Sequence, residues 1–138
     1  GKEGAASLLA KVLDQGAGPH DAAAFKTLQD DAAARLGFWA AAERFGGSLR
    51  MLRDARAQSI DLLRLALTEP RFDAEAVERQ RRATATNLRY NEESPGAIAS
   101  RTLNRATFGE HPYGRQVDGT AGSVGSVTID DLKALAAR

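Results

Sequence analysis

Leu36-Gly37-Phe38-Trp39-Ala40-Ala41-Ala42, continuing through Glu43-Arg44-Phe45-Gly46-Gly47 to Ser48-Leu49-Arg50-Met51-Leu52, is the stretch on which the fold turns. On either side of it apolar residues recur every three or four positions, whereas here they alternate. Leu36, Phe38, Ala40 and Ala42 fall on one side of an extended chain and Gly37, Trp39 and Ala41 on the other. That period of two marks a strand with one buried face. Gly46-Gly47 reads as the reversal and residues 48–52 as the returning strand, so the spacing predicts an antiparallel pair.

Outward from this pair the chain is helical. Ala5, Leu8, Leu9, Val12 and Leu13 repeat at helical spacing until Gly16-Ala17-Gly18-Pro19 stops the run. Asp21 is placed to cap a second helix reaching about residue 34, with Phe25 and Leu28 on its buried side. Beyond the pair, Asp54 opens a third helix with Ile60, Leu63 and Leu67 on one side, ending before Pro70. Asp73 caps the longest helix, residues 74–93, with Ala76, Val77, Ala83 and Leu88 turned inward. Ser94-Pro95 restarts a helix that carries Ile98, Leu103 and residues 106–108. The glycine-rich residues 109–127 read as a loop. Thr128-Ile129-Asp130-Asp131 then opens the last helix, Thr128 as its cap and Asp131 near its positive end. A sheet normally needs three or more strands, so two strands among six helices read as a helix-rich α+β fragment.

The 138 residues are enough for one domain. Nineteen Lys and Arg stand against eighteen Asp and Glu, so the total charge offers no basic surplus for nucleic acid. The absence of cysteine excludes disulfides, thiol chemistry and cysteine-based zinc sites. No apolar run approaches the roughly 20 residues that span a bilayer. No signal peptide is visible, and a chain that opens Gly1-Lys2-Glu3-Gly4 without methionine is expected to start further upstream.

Three segments resemble a known family in order and at plausible spacing. Residues 4–17, Gly-Ala-Ala-Ser-Leu-Leu-Ala-Lys-Val-Leu-Asp-Gln-Gly-Ala, are similar to a helix that usually reads Gly-Leu-Ala-His-x-x-Glu-His. Residues 62–72, Leu-Leu-Arg-Leu-Ala-Leu-Thr-Glu-Pro-Arg-Phe, lead into the long helix and Ser94-Pro95. Gly109-Glu110-His111-Pro112-Tyr113-Gly114-Arg115-Gln116-Val117-Asp118-Gly119-Thr120, with Val127-Thr128-Ile129-Asp130-Asp131-Leu132, is similar to a His-Pro-Tyr-Gly-Arg-Pro stretch and its following helix. The family is that of the pitrilysin/insulinase zinc peptidases.

The resemblance implies an antiparallel sheet covered by helices, with residues 1–138 a partial domain lacking its first strands and last elements. It also implies a zinc site at four positions of this chain, all degenerate. Ser7 stands for the first histidine, Ala10 for the general base, Lys11 for the second histidine and Asn87 for the distant glutamate. Two histidines with three residues between them, one turn apart on a helix, hold one zinc, beside a glutamate that takes a proton from its water. A hydroxyl, a methyl, a cation and a neutral amide do not do this. No cofactor is therefore expected in this chain. The implied role is a non-catalytic subunit that pairs with a homologous catalytic, zinc-bearing subunit around a peptide substrate, with the periplasm favoured. The rival readings are a working zinc peptidase with unrecognised ligands and a stand-alone protein-interaction module. Unpaired hairpin edges would favour self-association of the fragment.

Other polar residues carry less. His20, beside Pro19 at a helix start, reads as solvated, and His111 as a residue that fixes loop shape through hydrogen bonds. Tyr113 reads as buried with its hydroxyl on a peptide group, with Arg115 a possible partner contact beside it. Arg79, Arg81, Arg82 and Arg89 share a helix with Glu75, Glu78, Glu92 and Glu93, which reads as an ion-paired, solvated face. Ser7, Ser48 and Ser59 lack a histidine close in sequence. Gly119, Gly122 and Gly125 lack the strand-then-helix order of a dinucleotide site.

Overall fold

In the computed structural model, which describes residues 2–137, the first apolar run becomes α1 (Ala5–Val12). Leu8 and Val12, one turn apart, are both fully buried, as the i, i+4 geometry of an apolar stripe requires. Asp21 caps α2 (Ala22–Asp31) as expected, its Oδ1 accepting from the Ala24 N–H at 2.8 Å. The helix stops three residues earlier than the sequence suggests. Ala33 takes a left-handed conformation, Ala33 N–H donates to the Asp30 carbonyl at 3.0 Å, and Ala34 N–H to that of Gln29 at 2.8 Å. That paired closure ends helices, and here it forms without the usual glycine.

The hairpin exists but is displaced in register from expectation. β1 (Arg35–Ala40) pairs antiparallel with β2 (Phe45–Arg50), Leu36 opposite Leu49 and Trp39 opposite Gly46. The reversal falls at residues 41–44, where Ala41 N–H donates to the Arg44 carbonyl at 2.7 Å. Gly46 and Gly47 lie inside β2 because they face rings. A Cβ at Gly46 would sit 2.5 Å from Trp39 Cζ2, and one at Gly47 2.7 Å from Phe38 Cδ1. The glycine pair makes room for aromatic side chains rather than a turn. Leu36, Phe38 and Leu49 pack on the core, while Trp39, on the opposite face, is 48% exposed.

A 3-10 turn (Arg53–Ala55) leads into α3 (Arg56–Thr68). Its buried face is Ser59, Leu62, Leu65 and Ala66, whereas Ile60 and Leu67 are exposed, contrary to the sequence reading. The helix carries two apolar stripes. The one containing Ala66 and Ser59 is flat enough to lie close to Phe25 and the Ala17 turn. α4 (Ala74–Glu93) has the expected bounds, but Asp73 makes no cap bond, its carboxylate pairing with Arg71 at 2.8 Å. The helix buries Ala76, Val77, Thr84 and Leu88, with Ala83 exposed and Thr84 in the inward place. α5 (Pro95–Phe108) starts with proline in its first turn, yet none of its residues is buried and Leu103 is 66% exposed.

The expected loop after α5 is partly ordered into a 3-10 turn (Pro112–Gly114) and a short helix, α6 (Ala121–Gly125). Thr120 and Ser123 form a reciprocal capping box at the start of α6. α7 (Ile129–Ala136) opens on the corresponding box between Thr128 and Asp131. Two apolar clusters result. Leu8, Val12, Val77, Leu88, Val124 and Leu132 join α1, α4, α6 and α7. Ala17, Phe25, Leu62 and Ala66 join α2 and α3, and Phe38 packs against both clusters.

Candidate functional site

The four positions singled out in sequence fall on two helices. Ser7, Ala10 and Lys11 lie on α1, with Ser7 only 6% exposed and Ala10 buried. α4 packs beside α1, and Lys11 Nζ donates to Thr84 Oγ1 at 3.2 Å. Asn87 lies one turn further along α4 and is exposed. The structure therefore brings Lys11 to Thr84, while Asn87 takes no part in that polar contact.

Ser7 has a partner from a distant segment. Its hydroxyl donates to Asp118 Oδ1. Two glycines with positive φ bring this loop onto the start of α1. A Cβ at Gly4 (φ 86) would meet the Asp118 carbonyl at 2.4 Å, and one at Gly119 (φ 71) the Glu3 carbonyl at 2.4 Å. Glycine alone tolerates both the dihedral and the close approach. Thus α1 is tied by Ser7 to residue 118 and by Lys11 to α4.

This arrangement does not fit a zinc ion. The Ser7 hydroxyl is committed to the Asp118 carboxylate, and Lys11 places an ammonium against Thr84, between α1 and α4. Ala10 has no group that could accept a proton from water. Among the described residues, no three His, Cys, Asp or Glu side chains converge as metal ligands, where zinc needs three or four. What the residues can do is hold α1, α4 and the 118–119 loop together.

The remaining candidates are structural in this setting. His20 is half-buried rather than solvated, and its backbone N–H and carbonyl both bond Ala17, each at 3.0 Å. His111 fixes its loop as expected, Nδ1 accepting from the Tyr113 N–H at 3.2 Å. Tyr113 is not buried. Its ring packs edge-on against His111 and Phe108, with centroids 4.7 and 5.7 Å apart. The nearby Glu43 carboxylate of the hairpin turn, with partial desolvation, pushes the Tyr113 phenol above the ordinary range. Arg115 is exposed beside it, along an open cleft bounded by the hairpin turn, α5 and residues 109–120.

On α4, Arg81 and Arg82 both pair with Glu78, at 2.6 and 2.9 Å, which holds that carboxyl below its usual range through Arg82 first. Arg79 donates to Gln15 Oε1 at 3.0 Å, and Arg81 also reaches the Val127 carbonyl at 2.7 Å. Arg89 is exposed. The sequence reading missed Thr84 and Asp118. Thr84 sits seven residues after Val77 and four before Leu88, so the inward stripe of α4 could have revealed it. Asp118 is signalled only by Gly119 next to it.

No family profile matches the chain. It is 28% identical over 130 residues to a protein of Helicobacter pylori called non-peptidase homolog YmxG, spanning 94% of this chain and 30% of that protein. It is 29% identical to a crystallised peptidase M16 inactive domain from Pseudomonas fluorescens, with a TM-score of 0.89, spanning 96% of this chain and 33% of that one. A crystallised protease from Helicobacter pylori shares the fold at a TM-score of 0.85 and 15% identity, spanning 97% of this chain and 32% of that one. The chain thus spans about a third of the length of the relatives it matches.

Proposed function

We propose that this chain, which belongs to the M16 (insulinase-like) peptidase family as a homologue of its inactive domains, serves as the non-catalytic part of a peptidase assembly. It would pair with a homologous subunit that carries the zinc and would contribute wall to the chamber that holds peptide substrate. One observation carries the non-catalytic half of this reading. The α1 positions that resemble zinc-binding and proton-accepting positions hold Ser7 bonded to Asp118, Ala10, and Lys11 bonded to Thr84. Both polar side chains are used to fasten helices rather than to hold a metal.

The pairing half rests on family membership and is tested directly. The protein in its natural polypeptide is incubated with a quenched-fluorescent peptide, alone and with a His-x-x-Glu-His homologue from the same genome. Hydrolysis by the mixture above the sum of the separate proteins, with co-elution on a sizing column, is the expected result. Chelator-sensitive hydrolysis by this protein alone would establish a working zinc peptidase. A homologue equally active alone, with no co-elution, would leave a stand-alone interaction module.

A further inference from the structure

The total charge conceals a local imbalance. Between the flanking carboxylates Glu43 and Asp61 the chain carries Arg44, Arg50, Arg53 and Arg56 against Asp54 alone. The hairpin register sets Arg50 directly opposite Arg35. Both are exposed, and neither forms an ion pair among the described residues, in contrast to Arg64, Arg71, Arg81 and Arg82. Like charges directly opposite one another on antiparallel strands repel. An anion placed between two guanidinium groups reverses that repulsion, and guanidinium forks match carboxylate geometry.

The same face offers a second feature. Strand alternation places Arg35, Gly37 and Trp39 on the side away from Phe38 and the core, opposite Arg50, Ser48 and Gly46. A Cβ on Gly37 would meet only the Ser48 hydroxyl, at 3.5 Å, so the middle of the face is low and open. At its far end the Trp39 indole lies against Gly46 and leaves nearly half its surface to solvent. The arginine row and the indole row are four residues apart along the strand, about 13 Å at the rise of an extended chain.

We propose that the outer face of the β1–β2 hairpin binds an extended acidic peptide segment, a carboxylate seated between Arg35 and Arg50 and an apolar side chain four positions away resting on Trp39. The charge complementarity selects an anionic partner. The four-residue separation matches an extended peptide, whose side chains recur on one face at the same rise. A nucleic-acid strand stacks successive bases on several aromatic groups, and this face presents one. The proposal is independent of the zinc positions.

Trp39 is the chain's only tryptophan, so its fluorescence reports on this face. The probe is a seven-residue peptide of serine and glycine with glutamate second and leucine sixth, titrated at low ionic strength. Saturable change in Trp39 emission is expected, with at least tenfold weaker binding for the glutamine analogue and in 0.5 M salt (about a 4 Å screening length). The double variant Arg35→Gln/Arg50→Gln should lose the response while melting no lower than the parent, since a repulsive pair has been removed. An unchanged emission, equal binding of the glutamine analogue, or preferential binding of an oligothymidylate would overturn the proposal. None of these results bears on the pairing experiment, so the two readings fail separately.

Discussion

At the scale of single residues, Lys11 does more than Ser7 to exclude a metal. A hydroxyl is a weak ligand that a neighbouring set could compensate, but an ammonium beside Thr84 opposes a divalent cation directly. Reversal requires His at 7 and 11, Glu at 10, and a carboxylate from α4. The Lys11–Thr84 bond indicates that residue 84 points toward α1, whereas the sequence comparison indicates 87. Two variants decide between them. Ser7→His/Ala10→Glu/Lys11→His combined with Thr84→Glu should bind zinc at near one equivalent, and the same triple change combined with Asn87→Glu should bind at least tenfold more weakly, both read by zinc titration calorimetry. The opposite order would restore the sequence register. Failure of both, in variants that still melt cooperatively, would mean that α1 and α4 lie too far apart for ligand bonds of about 2 Å.

At the scale of elements, helix ends were legible where a local rule writes them, and helix faces were not. Asp21 and Thr128 with Asp131 announce their helices by side-chain bonds that act within three residues, and Pro95 announces α5 by its fixed φ in the first turn, Ser94 making no cap bond. The stop of α2 has no such mark, because Ala33 adopts a conformation that glycine would adopt more easily. Replacing it should therefore help: Ala33→Gly is expected to stabilise the fold by about 0.5–1 kcal/mol, the left-handed penalty of roughly 1–2 kcal/mol less the greater entropy glycine loses, measured by urea denaturation. The Asp131 carboxylate gives a second test. The Lys2 ammonium at 2.6 Å, then the Thr128 N–H and hydroxyl, lower its pKa from 3.8 to about 2. A pKa lower in the folded state stabilises above the unfolded value and is lost as pH falls through the folded one. The melting-temperature gap between the parent and Asp131→Asn should thus be full at pH 7 and close between about pH 4 and pH 2. The face of α3 and the position of the hairpin turn obey no such local rule. Two apolar stripes compete on α3, and Gly46-Gly47 mimics a turn until the rings of Phe38 and Trp39 are placed over it. The inward stripe of α4 could have placed Thr84, but its partner Lys11, like the Ser7 partner of Asp118, lies more than seventy positions away and no local rule names it.

At the scale of the whole molecule, the apolar surface is distributed unlike that of a chain finished with its packing. The sheet has two strands, and among the described residues the outer edge of each is unpaired. Such edges are templates for another strand. Around them lie exposed Met51, Leu52, Ile60 and Leu67, and α5 adds Ile98, Leu103 and Phe108 without burying a residue. The expected apolar side of the pair is, by contrast, partly covered, since Phe38 and Leu49 pack against the core. The drive to associate therefore comes from the edges and from the outward stripes of α3 and α5 rather than from the inner face of the hairpin. The chain is expected to be monomeric at micromolar concentration and to form dimers or larger species as it approaches millimolar, seen by light scattering over a concentration series. Charges introduced on the apolar surface should separate the two sources. Leu52→Lys/Ile60→Lys/Leu67→Glu should shift association to at least tenfold higher concentration if the α3 stripe drives it, and leave it unchanged if the strand edges do. A proline at Phe45, whose N–H the alternation from the Ala41–Arg44 pair turns to the outer edge of β2, should show the converse. A chain that stays monomeric at millimolar concentration would mean that these edges and stripes are too short or too divided to hold a second copy, and the pairing proposed with a catalytic homologue would then have to draw on other surfaces.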